Sequence, residues 1–376
     1  MNIGIIGGGI GGVAAGVALH QAGIAATVYE RARQLREVGA GMMLWPNATR
    51  ALRELRLLEN IQACSGPNTH FRVRASSGTV LIDIALGKFD VPAVCIRRAD
   101  LLAVMLEALP APNVRLGHEV DRLEQAKGKV RVYFTDGVVA EHDALIGADG
   151  IRSRVRSELF GDVAPIYRGY NVWRGLARYD GRAVPPGSNS ETWGTGRRFG
   201  ILNTGHGRFT WYAASNGPQD HVDAACGRRR EVQDMFRGWH EPIQDILDAT
   251  EEAEILKNPA YDLAPLSRWG VGRVTLLGDA AHPCTPNLGQ GGCMAIEDAL
   301  VLAKCIASQD DLEAALRRYE TLRLRRTRHI QQRSLLMGKI GQWENRLVVA
   351  GRHFVTSLLP AKLFEHNLRR VHSYEV

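Results

Sequence analysis

The chain opens on an apolar strand that runs directly into a cluster of glycines. Ile3, Ile5 and Ile6 precede Gly7-Gly8-Gly9-Ile10-Gly11-Gly12. A helix-forming run from Val13 to Ala22 follows, then a second apolar strand from Ala25 to Tyr29, closed by Glu30. Strand, tight turn, helix, strand and terminal acid is the order that holds a dinucleotide. Gly7 allows the turn, Gly9 lets the backbone approach a pyrophosphate, and Gly12 lets the helix lie close on the sheet. The helix start offers unpaired N–H groups and a partial positive charge to the phosphates. Glu30 stands where a carboxylate accepts hydrogen bonds from ribose hydroxyls. Gly11, Arg31 and Gly41 complete this set of candidate cofactor contacts.

Two later stretches repeat the logic. Asp143 to Ile146 reads as a strand ending on Gly147-Ala148-Asp149-Gly150, followed by the basic helix start Arg152-Ser153-Arg154-Val155-Arg156. Gly272 to Gly278 reads as a short buried strand, ending on Gly278-Asp279. Pro283 to Gly292 then leads into a helix containing Glu297-Asp298. Each places an acid at the carboxyl end of a strand beside a helix start.

The rest of the chain is expected to be helical over Pro46–Leu58, Arg98–Leu109, Arg230–Thr250, Ile296–Ile306 and Leu312–Leu336. It is expected to be strand-rich over Thr69–Leu86, Val114–Leu123, Val130–Phe134, Val138–Ile146 and Tyr167–Trp211, with a hairpin turn at Asp136-Gly137. A βαβ start that is interrupted by β-rich blocks and resumes near Gly272 implies a parallel-sheet domain in discontinuous pieces with a second sheet domain inserted. The expected division is 1–71, 98–165 and 254–338 for the first, 72–97 and 166–253 for the second, and 339–376 for a C-terminal helical segment.

Composition excludes other classes. Among 376 residues, 45% hydrophobic and 23% charged is an ordinary globular balance, and no run is apolar for long enough to span a membrane. The chain enters its first strand at Asn2 without a basic leader, so a cytoplasmic location is expected. The six cysteines form no C-x-x-C pair and no zinc spacing, so no metal is expected and Cys284 and Cys293 are read as packed thiols. The net charge of +7 comes largely from Arg228-Arg229-Arg230 and the stretch Arg323 to Arg333. These runs read as solvated helix faces, and no nucleic acid is expected as a partner. The apolar and basic run from Leu347 to Leu368, which includes Lys362 and Leu363 and is followed by Arg369 and Arg370, is expected to pack on the body. Contact with a membrane surface is the alternative reading.

Taken together, the three ordered motifs resemble the group A flavoprotein monooxygenases, the family of para-hydroxybenzoate hydroxylase, over about residues 1–340. Gly7, Gly9, Gly12 and Glu30 match the FAD fingerprint of that family. Asp149-Gly150 matches its second motif, associated with FAD and NAD(P)H. Gly278-Asp279 matches the third, whose Asp contacts the ribityl chain. Arg98, in Arg97-Arg98-Ala99-Asp100-Leu101, matches an arginine that opens a helix and reaches the FAD phosphates. The resemblance implies an α/β fold: a Rossmann-like FAD-binding domain of the GR2 type, an inserted β-sheet substrate domain and C-terminal helices.

Within the family the chain is similar to bacterial hydroxylases of N-heteroaromatic rings. Trp45-Pro46-Asn47 resembles FAD-dependent urate hydroxylases. Trp173-Arg174, Thr285-Pro286-Asn287-Leu288-Gly289-Gln290-Gly291 and Ile340-Gly341-Gln342-Trp343-Glu344 resemble alkyl-quinolone 3-hydroxylases. Arg198 matches a substrate-side arginine of the urate enzymes. Where their strand carries a substrate-side tyrosine, this chain reads Arg208-Phe209-Thr210-Trp211-Tyr212 and departs from the pattern.

The resemblance implies bound FAD, transient NADH or NADPH, and O2, with a flavin C4a-hydroperoxide delivering oxygen to a small aromatic or heteroaromatic ring. No second glycine fingerprint follows the first, so no separate NAD(P)H domain is expected. Gly289, Gly291 and Gly292 are expected to bring backbone N–H groups to the reduced flavin, and Pro283 to line the pocket around it. Arg198 and Tyr212 are the substrate-side candidates. Trp173 and Trp211 are further ones, although strand alternation aims Trp211 and Tyr212 at opposite faces. Asn47 is expected near the flavin face, and His282 at a helix start beside the cofactor rather than as a general base. Epoxidation of the zeaxanthin-epoxidase type, or an oxidase or dehydrogenase reaction without oxygen insertion, remain alternatives on this fold. The assembly is expected to be a monomer or a homodimer.

Overall fold

The computed structural model describes residues 1–35, 41–87, 89–360, 364–365, 369 and 371–374. Lys362, Leu363, Leu368 and Arg370 lie outside the described residues.

A five-stranded parallel sheet carries the first layer, in the order β18 (Val274–Leu276), β12 (Ala144–Gly147), β1 (Asn2–Ile6), β2 (Ala25–Glu30) and β8 (Val114–Leu116). Its strands are short and apolar on both faces, as strands covered on both sides must be. Ile3, Ile5, Ala144, Leu145, Ile146, Val274 and Leu276 are completely buried. The register decides the site. Ile6 pairs with Gly147, and Gly147 pairs with Leu276. The residues that follow each strand, Gly7, Ala148-Asp149 and Leu277-Gly278-Asp279, therefore emerge side by side along one sheet edge.

A seven-stranded sheet forms the second layer, in the order β17 (Leu256–Asp262), β13 (Ile166–Arg178), β16 (Arg208–Asn216), β15 (Arg197–Gly205), β14 (Ser188–Trp193), β5 (His70–Ala75) and β6 (Val80–Ala85). Alternation along β13, β15 and β16 gives this sheet two distinct faces. Trp173, Phe199, Phe209, Trp211 and Ala213 pack outward with α6 (Arg228–Met235) and α7 (Ile243–Asp248). Arg198, Gly200, Leu202, Thr210, Tyr212 and Arg174 have the opposite phase and face the first layer. Two small sheets complete the described strands: β3 (Gly41–Leu44), β7 (Ala93–Arg97) and β4 (Gly66–Asn68), and β11 (Val139–His142), β10 (Lys129–Phe134) and β9 (Val120–Ala126).

The helices α1 (Ile10–Gln21), α4 (Arg98–Glu107) and α8 (Gly291–Ala307) lie on the parallel sheet. They are joined by α2 (Pro46–Glu54), α3 (Leu58–Ala63), α5 (Arg154–Phe160), α9 (Leu312–Gly341) and α10 (Arg346–Leu358). α1 and α8 pack tightly because Gly11 and Gly12 remove side chains where they meet Leu277, Ala295 and the turn at Gly7. α10 buries Val349, Arg352 and Thr356 and exposes Leu347, Phe354, Val355 and Leu358. Among the described residues no helix is long and apolar enough to cross a membrane.

Several elements divide where the sequence pattern runs on. The expected helix Pro46–Leu58 breaks at Arg56, which adopts φ 54°, into α2 and α3. The helical stretch Arg230–Thr250 becomes α6 and α7, separated by Gly238 at φ 76°. Val114–Leu123 turns at Gly117, φ 84°, and its two halves enter different sheets, as do the halves of Val138–Ile146. Conversely, α8 starts at Gly291, before Ile296, and α9 runs on to Gly341.

Candidate active site

The three strand ends surround a cleft of about 470 Å³. Its lining includes Gly7, Gly9, Gly11, Glu30, Arg31, Arg98, Asp149, Gly278, Asp279, Gly291 and Gly292. Two helices aim their N-termini at it. α1, from Gly9, and α8, from Gln290, have no side-chain cap and no acid in the first turn, so their first N–H groups remain available to an anionic ligand.

The glycines divide by role. A Cβ on Gly7 would lie 2.3 Å from the Ala148 carbonyl oxygen, and one on Gly12 would lie 1.9 Å from the Gly7 carbonyl oxygen. These two make the turn itself. A Cβ on Gly9 would meet only Arg98 Nη2, at 3.9 Å, so the space before Gly9 is cleft. Gly12, Gly41, Gly289 and Pro283 are absent from the lining. Gly41 donates its N–H to Thr210 Oγ1 at 2.9 Å, where β3 crosses the second sheet. Gly289, at φ 60°, turns against the edge of Trp45, and Pro283 is buried with its carbonyl accepting from Gln331 Nε2 at 3.0 Å.

The three acids are held differently. Glu30 accepts from the Gly8 N–H at 2.7 Å and the Ala32 N–H at 2.9 Å, which fixes the carboxylate at the cleft rim. Asp149 accepts from Ser153 Oγ and from the N–H groups of Arg154 and Val155, so it caps the start of α5. Burial raises its pKa, and those hydrogen bonds oppose the shift. Asp279 is solvent-exposed and opens on the cleft, with Gly278 and Ala280 buried on either side. Desolvation by the protein around the cleft raises its pKa, while His282 and Arg98 pull it down. Among the described residues no protein donor reaches the Asp279 carboxylate.

Behind the cleft a buried ionic cluster locks the third motif to α9. His282 Nε2 lies 2.5 Å from Asp298 Oδ2, which also accepts the Gly278 N–H at 3.1 Å. Arg323 bridges Asp298 and Glu297, and Arg326 also pairs with Glu297. Burial alone would raise the pKa of Asp298, but His282 and Arg323 bring it down to about 2. His282 is thereby committed to orienting the Gly278-Asp279 turn. Asn47 is fully buried and donates to Gln290 Oε1 and Glu297 Oε1. Arg156 donates to the carbonyls of Ala280 and Ile151 and ties the second motif to the third. The thiol of Cys293 is pushed up to about 12 by burial, and that of Cys284 higher still, so both are protonated packing groups. Among the described residues no His, Cys, Asp or Glu cluster could hold a metal ion.

A second group of residues gathers on the inner face of the seven-stranded sheet. Arg198 is buried and makes three contacts: Glu191 Oε1 at 3.1 Å, Gln342 Oε1 at 2.9 Å and Asn287 Oδ1 at 2.5 Å. The Tyr170 hydroxyl donates to the same Asn287 oxygen. The Tyr212 ring lies over Gly200, where a Cβ would stand 2.0 Å away. Burial holds its hydroxyl well above the usual phenol range, with Glu191 adding to the shift and Arg198 opposing it. Trp173 and Trp211 do not join this group. They sit in the core under α6 and α7, where Trp211 stacks on Phe199 and donates to Thr250 Oγ1. The inward residue is Arg174, which stands opposite Tyr212 in the register and is pushed to a lower pKa by burial, with Arg98 adding to the effect.

A family model for an FAD binding domain matches residues 1–164 and 233–334. The chain is 37% identical to the aurachin C monooxygenase/isomerase of Stigmatella aurantiaca, over 97% of this chain and 96% of that protein. The chain belongs to the FAD-dependent monooxygenase family. The FAD-dependent urate hydroxylase of Klebsiella pneumoniae is 35% identical, over 87% of this chain and 86% of that enzyme. HpxO of Klebsiella pneumoniae, solved with FAD and uric acid, matches with a TM-score of 0.94 at 30% identity, over 99% of this chain and 97% of that one. The cleft of this FAD-dependent monooxygenase fits the cofactor. It offers two uncapped helix starts for a pyrophosphate, open space before Gly9 and a carboxylate at Asp279 that no donor among the described residues satisfies.

Arg156, Arg174, Gln342 and Asn287 are site-building residues that motif reading quoted without a role. Alternation along β13, which sends Trp173 outward, is the signal that could have found Arg174. Nothing local in the sequence signalled the partners of Arg198.

Proposed function

We propose that this enzyme hydroxylates a small N-heteroaromatic ring, seated between the Pro283–Gly292 segment and the inner face of the seven-stranded sheet. The observation that carries the reading is the Arg198–Asn287 contact, which joins a buried cationic group of the sheet to the segment that starts α8 beside the cleft.

In this reading Gly7, Gly9, Gly11 and the start of α1 hold the pyrophosphate of FAD, with Arg98 across from them. Glu30 and Arg31 attend the adenosine ribose, and Asp279 accepts from hydroxyls of the ribityl chain. Asp149 shapes the cleft wall through α5. Bound FAD, reduced by NADH or NADPH, supplies the activation of O2 and the transfer of one oxygen atom to an electron-rich ring.

The chain's own residues position and desolvate. The N–H groups of Gly291 and Gly292 offer the positive end of α8 to negative charge at the inner end of the cleft. Gly289 sets the turn that delivers them, and buried Pro283 closes the floor against water. A guanidinium has five N–H groups. Three of those on Arg198 serve Glu191, Gln342 and Asn287, which fixes its plane and leaves two for a ring carbonyl or oxyanion. Tyr212 stays protonated at working pH and can donate to the same substrate oxygen, and Arg174 brings a second cation from the Arg98 side.

The test is turnover by the FAD-loaded protein on a panel of phenols, quinolones and purine-like rings. N-heteroaromatic rings are expected to accelerate NAD(P)H oxidation and to gain the mass of one oxygen atom. A product without added oxygen would assign the oxidase or dehydrogenase alternative.

A further inference from the structure

The described end of the chain, Val371–Tyr374, returns to the back of the segment that enters α8. Val371 is buried with Met294 and Ile330, against Leu288 and Cys284. His372 is buried and stacks on Trp45, with ring centroids 4.4 Å apart and planes 29° from parallel. Arg50 donates to the carbonyls of His372 and Tyr374, and Arg326 donates to that of Val371. The Arg326 guanidinium lies over the Tyr374 ring at 4.1 Å.

The polar atoms of His372 meet the residues beside the cleft. Its Nδ1 is 3.2 Å from Asn47 Oδ1 and 3.3 Å from Gln290 Nε2. One proton arrangement serves these atoms together. His372 carries its proton on Nδ1 and donates to Asn47 Oδ1, Gln290 Nε2 donates to that same oxygen, and Asn47 Nδ2 donates to Gln290 Oε1. Burial, with Arg326 and Arg333 nearby, lowers the His372 pKa to about 3, so the ring is neutral in this role. Trp45, the surface on which His372 stacks, has its indole edge against the Gly289 turn. Gln290 immediately precedes Gly291 and Gly292, which line the cleft.

We propose that the Val371–Tyr374 strap is a positioning element for the oxygen chemistry, with His372 clamping the Trp45–Asn47–Gln290 platform that holds the Asn287–Gly292 segment against the cleft. The consequence for turnover rests on the function proposed above. In coupled turnover NAD(P)H and one proton deliver two electrons, one oxygen atom of O2 enters the ring, and the other leaves as water. When the segment loosens, the same two electrons and two protons leave on O2 as hydrogen peroxide, and the ring is unchanged.

The test compares the FAD-loaded full chain with H372F, H372N and a chain ending at Arg370. Amide hydrogen exchange over residues 287–292 reads the clamp without turnover. H372F and the shortened chain are expected to exchange about fivefold faster there, as the loss of one net hydrogen bond implies, with exchange in β1 and β12 unchanged. H372N keeps a donor for Asn47 Oδ1 and is expected to stay within about twofold of the parent. With a turnover substrate, peroxide released per NAD(P)H is expected to rise about fivefold in H372F and to recover in H372N. Parent-like exchange over 287–292 in both H372F and the shortened chain overturns the proposal. If the parent chain oxidises no NAD(P)H in response to any ring, the functional reading fails, and the exchange measurement alone still decides the clamp.

Discussion

Arg198 Nη2 stands 2.5 Å from Asn287 Oδ1, so the seven-stranded sheet, with its proposed substrate-side residues, and the segment that enters α8 share one hydrogen bond. Asn287 is itself held rigidly. Its amide donates to Thr285 Oγ1 and to the Ser334 carbonyl, and a Cβ on Gly338 would strike it at 2.4 Å. Removing the guanidinium should therefore disturb substrate placement and leave the dinucleotide cleft intact. Arg198→Ala is expected to keep full FAD content and to lose about ten- to hundredfold in kcat/KM or in coupling to product. Arg198→Lys should not restore it, because a point charge cannot serve three acceptors in one plane. Steady-state kinetics with peroxide detection, beside the visible spectrum, checks both statements.

Gly9 and Gly12 should separate cofactor binding from folding. The Gly9 Cβ position is open to the cleft, so Gly9→Ala is expected to preserve the Tm of the apoprotein and to weaken FAD binding by about tenfold or more through direct encroachment. The Gly12 Cβ position lies on the Gly7 carbonyl oxygen, so Gly12→Ala is expected to destabilise the apoprotein by about 1–3 kcal/mol. Thermal unfolding and a flavin-fluorescence titration of both variants distinguish the two costs.

Asp279 is the acid that no described protein donor satisfies. Asp279→Ala removes a charged acceptor for ligand hydroxyls and is expected to weaken FAD retention by about ten- to hundredfold, with little change in the apoprotein. Asp149→Ala should behave in the opposite way. It uncaps α5 and is expected to lower the Tm of the apoprotein first. Flavin occupancy after gel filtration, measured with the melting curve, checks the contrast.

Motif spacing made the dinucleotide cleft legible because its determinants are local. Each of Gly7, Asp149 and Asp279 lies within three residues of the end of a short apolar strand, and parallel pairing then aligns the three ends. The inner face of the second sheet was only half legible. Trp173 and Trp211 attract attention as large aromatics, yet strand phase sends both to the α6–α7 core and brings Arg174 inside. Pro46–Leu58 reads as one helix because apolar spacing says nothing about Arg56 adopting a left-handed backbone. His372 was not legible, since its partners Trp45 and Asn47 stand at the other end of the chain and only tertiary packing joins them.

His142 gives the stability a predictable pH dependence. The ring is buried beside the Tyr29 hydroxyl, and burial, with Arg115 adding to it, lowers its pKa from 6.5 to about 4. The unfolded chain therefore binds a proton at this residue between pH 6.5 and 4 that the folded chain refuses. The stabilisation is complete above pH 6.5 and is lost as pH falls toward 4, by about 3 kcal/mol at most from this residue. His142→Gln removes the titration and is expected to flatten that part of the Tm–pH profile, leaving the loss below pH 4 that follows protonation of Asp298.

In the proposed function, one oxygen atom from O2 is placed on a ring between Arg198 and the start of α8. Turnover of the FAD-loaded enzyme under ¹⁸O-labelled dioxygen, on an N-heteroaromatic ring that accelerates NAD(P)H oxidation, tests it directly. The expected product carries one ¹⁸O atom per NAD(P)H consumed. Stoichiometric peroxide with an unlabelled ring would contradict it.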